Sequence, residues 1–443
     1  MSVSPEVAAA NIISAVGLKP TKVEQIEVYG IKATRPDVLK TLLQPIYEAR
    51  NLNETFNEIY AFSGKMEALG IAESVDIQLD RSKESSSGMV VTLNVKEAPR
   101  VSGMCGTEIG NSEGNMNVSL GLKNALGGGE QIAASLSSGN KTTSSFQFRA
   151  LTPVSPSRPY NQLELTAYHA STDNQFHASH DLLTRGMSLT YRTVLSSGSY
   201  EMAYNGIWRT LHNVGFCASS SIREQAGHNF KSSITHLFTH DTRNDSLLPS
   251  AGNYFRLAQE LAGLKGDVRF LKTEVELQSS FAPLKGFALS LGLRGGALVP
   301  LPSVDGKTTS SHHADRIFSG GPTSVRGFMG FGLGPHDGRD SLGGDVMAIG
   351  GASLLTPLPY FTTPCFRGHL FANAGRLLSL QQGSPVADQL KTGFSQPSVS
   401  VGFGLVFRHS IARLEANYCI PLARHPGERR CSGLQVGLGI SFL

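Results

Sequence analysis

From residue 101 to its last residue, the chain alternates between apolar side chains and polar or small ones. In 271–281, LKTEVELQSSF, Leu271, Val275 and Leu277 share one face and charged residues occupy the other. Three further stretches repeat this pattern: 287–294, 399–408 and 434–442. A period of two over about ten residues is typical of a strand that crosses a membrane, with one face toward lipid.

Residues 101–443 have room for about 16 such strands, at about 10 residues per strand plus a turn or loop. A soluble β-sandwich also alternates, but its strands average about 5–6 residues, and this length would require two sandwiches joined by a linker that is not visible. Charged residues make up 17% of the chain, below the roughly 25% typical of soluble proteins. We therefore predict a transmembrane β-barrel of about 16 antiparallel strands.

Helical membrane spans are not predicted. The best apolar window, 287–300, is interrupted by Arg294, and a spanning helix needs about 18 or more apolar residues in succession.

Residues 21–100 have the pattern of a small α+β domain, and residues 1–20 are weakly patterned and predict a flexible tail. The predicted elements are a strand at 22–30, a helix from Pro36, a helix after Asn53, and strands at 72–80 and 89–97. Their order is β-α-α-β-β.

The first 20 residues contain no arginine and no basic segment followed by an apolar core. We therefore expect neither a secretory signal nor a cleaved mitochondrial presequence, which for a barrel indicates an organelle outer membrane. The five cysteines form no C-x-x-C pair and show no metal-ligand spacing, so unpaired thiols are expected.

Residues 318–335, FSGGPTSVRGFMGFGLGP, surround Arg326 with six glycines. A phosphate-binding loop would need G-x-x-x-x-G-K-[ST] followed by a helix. This stretch has no Lys-Ser or Lys-Thr pair, and glycine, proline and aspartate follow it. A nucleotide site is therefore not predicted.

Five stretches make the chain resemble the outer-membrane barrel-assembly superfamily, and within it the central β-barrel subunits of the mitochondrial sorting and assembly machinery. They are a single POTRA-like domain (21–100), NALGGGEQI (124–132), DTRNDSLLPSAGNYFRLAQEL (241–261), GGPTSVRGF (320–328) with LGGDVMAIGGASLLTPLP (342–359), and QVGLGISF (435–442). The last stretch resembles the family's C-terminal sorting signal, polar-x-Gly-x-x-hydrophobic-x-hydrophobic. The resemblance implies a POTRA domain at 21–100 and a barrel at 101–443, with an internal loop around 318–340.

The resemblance implies an insertase that folds β-barrel precursors into the mitochondrial outer membrane. Such a protein is not an enzyme and needs no cofactor or metal. It would open a lateral gate between its first and last strands, and the C-terminal signal strand of the precursor would pair with the exposed edge. The implied gate residues are Val101, Gly103, Cys105, Thr107 and Ile109 in the first strand, and Gln435, Gly437, Ile440 and Phe442 in the last.

The partners implied by the resemblance are β-barrel precursors, accessory subunits on the cytosolic face, and membrane lipid. The POTRA domain would lie in the intermembrane space. Nucleic acid is not expected, because the net charge of +4 is too small for a nucleic-acid-binding surface.

In the family, the glycine-rich loop folds back into the lumen and a carboxylate on the barrel wall holds its arginine. The implied motif residues are Gly320, Gly321, Val325, Arg326, Gly327 and Phe328. Bacterial relatives have acidic residues where this chain has Ser353 and Asn373. Asp345 is then the first candidate for the carboxylate and Glu415 the second.

Four alternatives are weaker. A protein-translocating pore of an organelle envelope usually has several POTRA domains, and a metabolite channel would lose conductance to a luminal loop. His312 and His313 lack a third metal ligand at useful spacing and are expected in a solvated loop. His240, Asp241 and Ser246 lack the G-x-S-x-G motif of a hydrolase.

Overall fold

The structure is a computed structural model, and it describes residues 20–82, 88–110, 113–302, 311–358, 365–381, 385–409 and 412–439. Residues 1–19 of the expected tail lie outside the described residues, as do Ile440 and Phe442 of the expected last strand. The described chain forms a small N-terminal domain and one 16-stranded antiparallel sheet.

The N-terminal domain contains three strands and two helices. They are β1 (Lys22–Tyr29), α1 (Pro36–Glu48), α2 (Leu52–Ala68), β2 (Ala72–Arg81) and β3 (Gly88–Glu97). The sheet order is β1-β3-β2, with β1 parallel and β2 antiparallel to the central strand. Ile46, Phe62 and Met66 of the helices pack with Val91 and Leu93 of β3 in one buried core.

The sequence explains where these two helices begin. Pro36 occupies the first position of α1, where its fixed φ suits the helix and its missing N–H is not needed. The side chain of Asn51 caps α2 by accepting a hydrogen bond from the Glu54 amide at 2.8 Å. The Glu54 carboxylate in turn accepts from the Arg50 amide at 2.9 Å, which satisfies a second exposed amide at the helix start.

The large sheet is built from long strands joined mainly by short connections. They are β4 (Val101–Gly110), β5 (Glu113–Lys123), β6 (Gln131–Gly139), β7 (Thr142–Ser155), β8 (Arg158–Asp173), β9 (Asp181–Leu195), β10 (Gly198–His212), β11 (Gly227–Asp241), β12 (Gly252–Gly266), β13 (Phe270–Phe281), β14 (Ala288–Pro300), β17 (Val346–Pro357), β18 (Phe366–Leu378), β19 (Ser398–Arg408), β20 (Arg413–Ala423) and β21 (Gly433–Gly439). The connections carry α3 (Gln175–Ala178), α4 (Ser220–Glu224), α5 (Val386–Phe394) and a two-stranded ribbon, β15 (His336–Asp337) with β16 (Asp340–Ser341).

Each strand of the large sheet pairs with its neighbours in the chain, and β14 pairs with β17 across the long insertion. The sheet therefore begins at β4 and ends at β21. These two edge strands approach each other, with Cα atoms within 8 Å. Over the described parts of both strands no hydrogen-bonded ladder joins them. We call the gap between β4 and β21 the seam.

The two faces of the sheet differ in chemistry, as the alternation predicts. On β14, Leu291 and Leu293 are about half exposed, whereas Ser290 is buried. The Arg294 guanidinium on the inner face bonds the Glu276 carboxylate of β13 at 2.8 Å. Exposed apolar side chains outside and ion pairs inside are the pattern of a membrane barrel. The predicted fold class, a barrel of about 16 strands after a small α+β domain, is confirmed.

No helix among the described residues is long and apolar enough to cross a membrane. All five cysteines are unpaired, as expected.

The N-terminal domain contacts the connection between β5 and β6. Asn124 donates a hydrogen bond to the Thr34 hydroxyl at 3.1 Å, and the Arg35 amide donates to the Gly127 carbonyl at 2.8 Å. The Arg35 guanidinium also lies 3.0 Å from the Glu130 carboxylate. Gly127 has φ of +85°, and a Cβ there would lie 2.7 Å from the Ala33 carbonyl oxygen. We call this end of the barrel the N-domain end.

The linker into the barrel is fixed at the same place. The Arg100 side chain donates to the carbonyls of Asn124 and Ala125 at 3.3 and 3.0 Å. The Arg100 carbonyl accepts from the Lys123 amide at 2.7 Å. The first residues of β4 are therefore attached to the turn that the N-terminal domain contacts.

Candidate functional site

The long insertion between β14 and β17, which the structure describes over residues 301–302 and 311–345, turns into the lumen. We call it the internal loop. Of its motif residues, Gly321, Val325, Arg326, Gly327 and Phe328 are buried and Gly320 is partly buried. Val325, Phe328 and Leu333 pack on Ile349 of β17 in a small apolar cluster. The glycine-rich stretch is therefore an inner packing surface of the barrel.

Arg326 forms a bidentate ion pair with Glu415 of β20. Its Nε and one terminal nitrogen lie 2.8 and 3.1 Å from the two carboxylate oxygens, and both side chains are fully buried. The guanidinium also lies over the Phe371 ring, 5.1 Å from its centroid. The Arg413 guanidinium contacts the same carboxylate, and Asn417 donates to it at 2.7 Å. Such convergent donors are what a buried carboxylate requires.

The carboxylate that holds Arg326 is thus Glu415, the second candidate, and not Asp345, the first. Asp345 lies just before β17 and accepts hydrogen bonds from the Ser311 and Ser379 hydroxyls at 2.7 and 3.1 Å. It also accepts from the Leu380 amide at 2.9 Å. Asp345 therefore joins Ser311 of the internal loop to the connection that follows β18.

Ser353 and Asn373, at the two positions where the family resemblance implies acidic residues, differ in their contacts. Asn373 donates a hydrogen bond to the Ser324 carbonyl at 2.9 Å, so it contacts the internal loop beside Arg326. Ser353 lies on β17 opposite Ser290 of β14, among other buried serines.

The backbone next to Arg326 is held by the last strands of the sheet. The Gln435 side chain of β21 accepts from the Gly327 amide at 3.0 Å and donates to the Phe328 carbonyl at 2.9 Å. The Ser400 hydroxyl donates to the Arg326 carbonyl. Gly327 has φ of +84°, and a Cβ there would lie 3.0 Å from the Ser400 Cβ. This conformation and closeness favour glycine.

The opposite side of the internal loop contacts the far wall of the lumen. The Asp315 carboxylate, nearly fully buried, bonds Arg209 of β10 at 2.8 Å and Lys231 of β11 at 3.1 Å. The His177 ring of α3 stacks on the Phe331 ring at 3.9 Å. Burial lowers the pKa of His177 to about 3, so the stacked ring is neutral. The internal loop therefore spans the lumen between two walls.

His313 departs from the expectation of a solvated loop. Its side chain is buried and bonds the Ser341 carbonyl at 2.9 Å. Burial lowers its pKa to about 4. No group of three or more His, Cys, Asp or Glu side chains in the described ranges is arranged to hold a metal ion.

The described residues among the predicted gate residues lie on β4 and β21, the first and last strands of the large sheet. Val101 is exposed at 73%, and Gly103, Cys105 and Thr107 are also exposed along β4. Ile109 pairs with Gly114 of β5. On β21, Gln435 and Gly437 are buried and face the lumen. The free edge of β4 and the edge of β21 thus lie side by side, with Gln435 attached to the internal loop.

Comparison with known proteins places this architecture in a family. The crystal structure of BamA from Haemophilus ducreyi lacking POTRA domains 1–3 superposes with a TM-score of 0.76 at 16% identity, covering 95% of this chain and 84% of that one. CdiB from Acinetobacter baumannii gives a TM-score of 0.50 at 15% identity, covering 95% and 73%. Residues 124–442 match the Omp85 superfamily domain. The chain belongs to the Omp85 superfamily.

Within that superfamily, the chain is similar to proteins named for the sorting and assembly machinery. A SAM50-like protein of Schizosaccharomyces pombe is 37% identical over 98% of this chain and 93% of its own length. The sorting and assembly machinery component 50 homolog of Homo sapiens is 36% identical, covering 96% and 91%, and that of Mus musculus is 35% identical with the same coverage. The family resemblance predicted from the motifs is confirmed.

Proposed function

We propose that this chain is an insertase that folds β-barrel precursors into the mitochondrial outer membrane. The observation that carries the proposal is the seam, where the edges of β4 and β21 lie close together and no hydrogen-bonded ladder joins their described parts. The chain that forms it is similar over 96% of its length to a sorting and assembly machinery component. The protein works with barrel precursors and with the assembly complex. Its N-terminal domain lies in the intermembrane space.

The seam supplies the driving force in physical terms. An unpaired amide or carbonyl in lipid costs several kcal/mol of free energy, because no water is present there to form the missing hydrogen bond. A precursor strand that pairs with the β4 edge satisfies such groups on both chains. Pairing therefore guides the precursor into the bilayer without a cofactor or covalent step. Accessory subunits would bind on the cytosolic face.

The internal loop supports the insertase over a translocating pore. It contacts Glu415 on one wall and Arg209 on the other, so it occupies the lumen that a translocating chain would use. Attachment of Gln435 to the Gly327 and Phe328 backbone positions the β21 edge without requiring it to pair with β4.

Site-specific photo-cross-linking in membranes tests the proposal. A photo-reactive residue replaces Val101, Gly103, Cys105 or Thr107 in turn, and a labelled barrel precursor is supplied with an intact or a damaged C-terminal signal. The control position is Ala258 of β12, whose strand pairs on both sides. We expect cross-links along β4 that vanish with the damaged signal, and none at position 258.

The absence of cross-links at all four β4 positions and at position 258 would reject strand pairing at the seam. Cross-links that form equally with the damaged signal, or at position 258 as well, would favour the pore.

A further inference from the structure

The connection between β11 and β12, residues 242–251, lies at the N-domain end of the barrel. Neighbouring strands are antiparallel, so every second connection lies at the same end as the β5–β6 connection that contacts the N-terminal domain. The His240 ring bonds the Ser197 carbonyl of the β9–β10 connection at 2.7 Å, which agrees with this placement. We call residues 242–251 the mouth hairpin.

Side-chain hydrogen bonds hold the mouth hairpin in one shape. The Arg243 guanidinium bonds both Asp241 carboxylate oxygens at 2.9 and 2.7 Å and packs 4.3 Å from the centroid of the Tyr254 ring. The Asn244 side chain accepts from the amides of Ser250 and Ala251, each at 3.1 Å. A connection with so many internal bonds keeps its shape and does not behave as a flexible linker.

The mouth hairpin reaches strands that are remote in the sheet. One Asp245 carboxylate oxygen accepts from the Leu247 and Leu248 amides at 2.8 and 3.2 Å. The other lies 2.8 Å from the guanidinium of Arg408 at the end of β19. Leu248 packs against a buried cluster of Ala288, Leu355 and Val406. Because β13, β14, β17 and β18 separate β12 from β19 in the sheet order, the mouth hairpin crosses the mouth of the lumen.

This crossing also reaches the ion pairs around Arg326. The Leu247 carbonyl accepts a hydrogen bond from Arg413 of β20 at 3.3 Å. Arg413 is buried and contacts the Glu415 carboxylate that binds Arg326. Two buried guanidinium groups on one carboxylate require further acceptors for their remaining N–H groups, and the hairpin carbonyl is one of these.

We propose that the mouth hairpin closes the N-domain end of the lumen and positions Arg413 beneath the Arg326–Glu415 pair. Asp245 and Leu248 hold it against β14, β17 and β19, and the Leu247 carbonyl holds Arg413. The lumen is then covered at this end by the mouth hairpin and crossed farther in by the internal loop.

Solvent access to a residue behind the hairpin tests the closure. Ser353 is 4% exposed and lies two residues deeper than Leu355 on the same face of β17. A Ser353→Cys reporter is placed in a variant whose five native cysteines are replaced by serine. The full chain is reconstituted in lipid nanodiscs, and its modification by a charged, membrane-impermeant maleimide is timed.

Two substitutions break the same ion pair from opposite sides. Arg408→Glu opposes Asp245 with a like charge, and Asp245→Ala removes the carboxylate. We expect both to accelerate modification of the reporter by up to about fivefold, since a partly exposed ion pair contributes at most about 1 kcal/mol to holding the hairpin against β19. The matched control is Arg158→Glu, an exposed residue at the start of β8 at the same end of the barrel, which β9, β10 and β11 separate from β12. It should leave the rate unchanged.

A reporter modified as fast before these substitutions as after them would overturn the proposal. Acceleration by only one of the two hairpin variants, or equal acceleration by Arg158→Glu, would overturn it as well. Resistance of each variant to protease shows that the barrel is folded, so a general loss of structure is not mistaken for an opened mouth.

Discussion

Replacing Glu415 with glutamine should release the internal loop from the barrel wall. The substitution keeps the shape of the side chain but removes the negative charge that Arg326 and Arg413 share in a fully buried site. Removing one partner of a buried ion pair costs about 3–5 kcal/mol, because the remaining charge is left uncompensated. At about 1.4 kcal/mol per factor of ten, the released population of the loop rises by roughly 100- to 4,000-fold.

Trypsin reports this population directly, because it cleaves after arginine and Arg326 is fully buried in the bound loop. When release and rebinding are fast relative to cleavage, the cleavage rate follows the released population. We therefore expect cleavage after Arg326, quantified by mass spectrometry of the reconstituted protein, to accelerate by at least about 100-fold in Glu415→Gln.

Glu276→Gln is the matched control. Its partner Arg294 is also luminal, at 2.8 Å, but both side chains are about one-fifth exposed, so the pair contributes at most about 1 kcal/mol. Asp345→Asn should also leave cleavage after Arg326 near the wild-type rate, because Asp345 bonds serine hydroxyls and a backbone amide. If Glu415→Gln cleaved no faster than Glu276→Gln, the claim that this pair holds the internal loop would be wrong.

Two further predictions concern the same loop. Gly327→Ala should accelerate the same cleavage about 5- to 30-fold, because a left-handed φ costs an alanine roughly 1–2 kcal/mol. The control is Gly330→Ala, where an added Cβ would have no atom within 4 Å, and it should leave the cleavage rate unchanged. Equal effects of the two substitutions would refute the backbone argument. Acidification from pH 7 to pH 5 should lower the free energy of unfolding by up to about 2 kcal/mol through His177. Its pKa is about 3 when folded against 6.5 ordinarily, so between these values the unfolded chain binds the extra proton and stability falls as pH falls. His177→Phe should reduce this slope in urea unfolding followed by Trp208 fluorescence, and an unchanged slope would contradict the assignment.

The elements of this fold could be predicted from sequence because their signals are local. The alternation in 271–281 reappears in β13, and Pro36 is the first residue of α1. The second helix begins two residues earlier than predicted, because its cap is Asn51 and not Asn53. The number of strands follows from length alone, once the period of two shows that each strand is about as long as a membrane is thick.

The contacts between distant segments could not be predicted in the same way. The sequence offers Asp345 as the first candidate for the carboxylate and Glu415 as the second. Only the register of β20 shows that Glu415 faces the lumen beside Arg413 and Asn417. The burial of His313 and the crossing of the mouth hairpin depend on which walls face each other across the barrel. A local pattern carries no information about the opposite wall.

The attachment of Arg100 to the β5–β6 turn links the seam to the N-terminal domain. The start of β4 is held by hydrogen bonds from Arg100 to Asn124 and Ala125. Thr34 and Arg35 of the N-terminal domain form hydrogen bonds with the same turn. The start of β4 is therefore attached to the N-terminal domain through one shared turn, so a movement of that domain would be transmitted to the Val101 end of the seam.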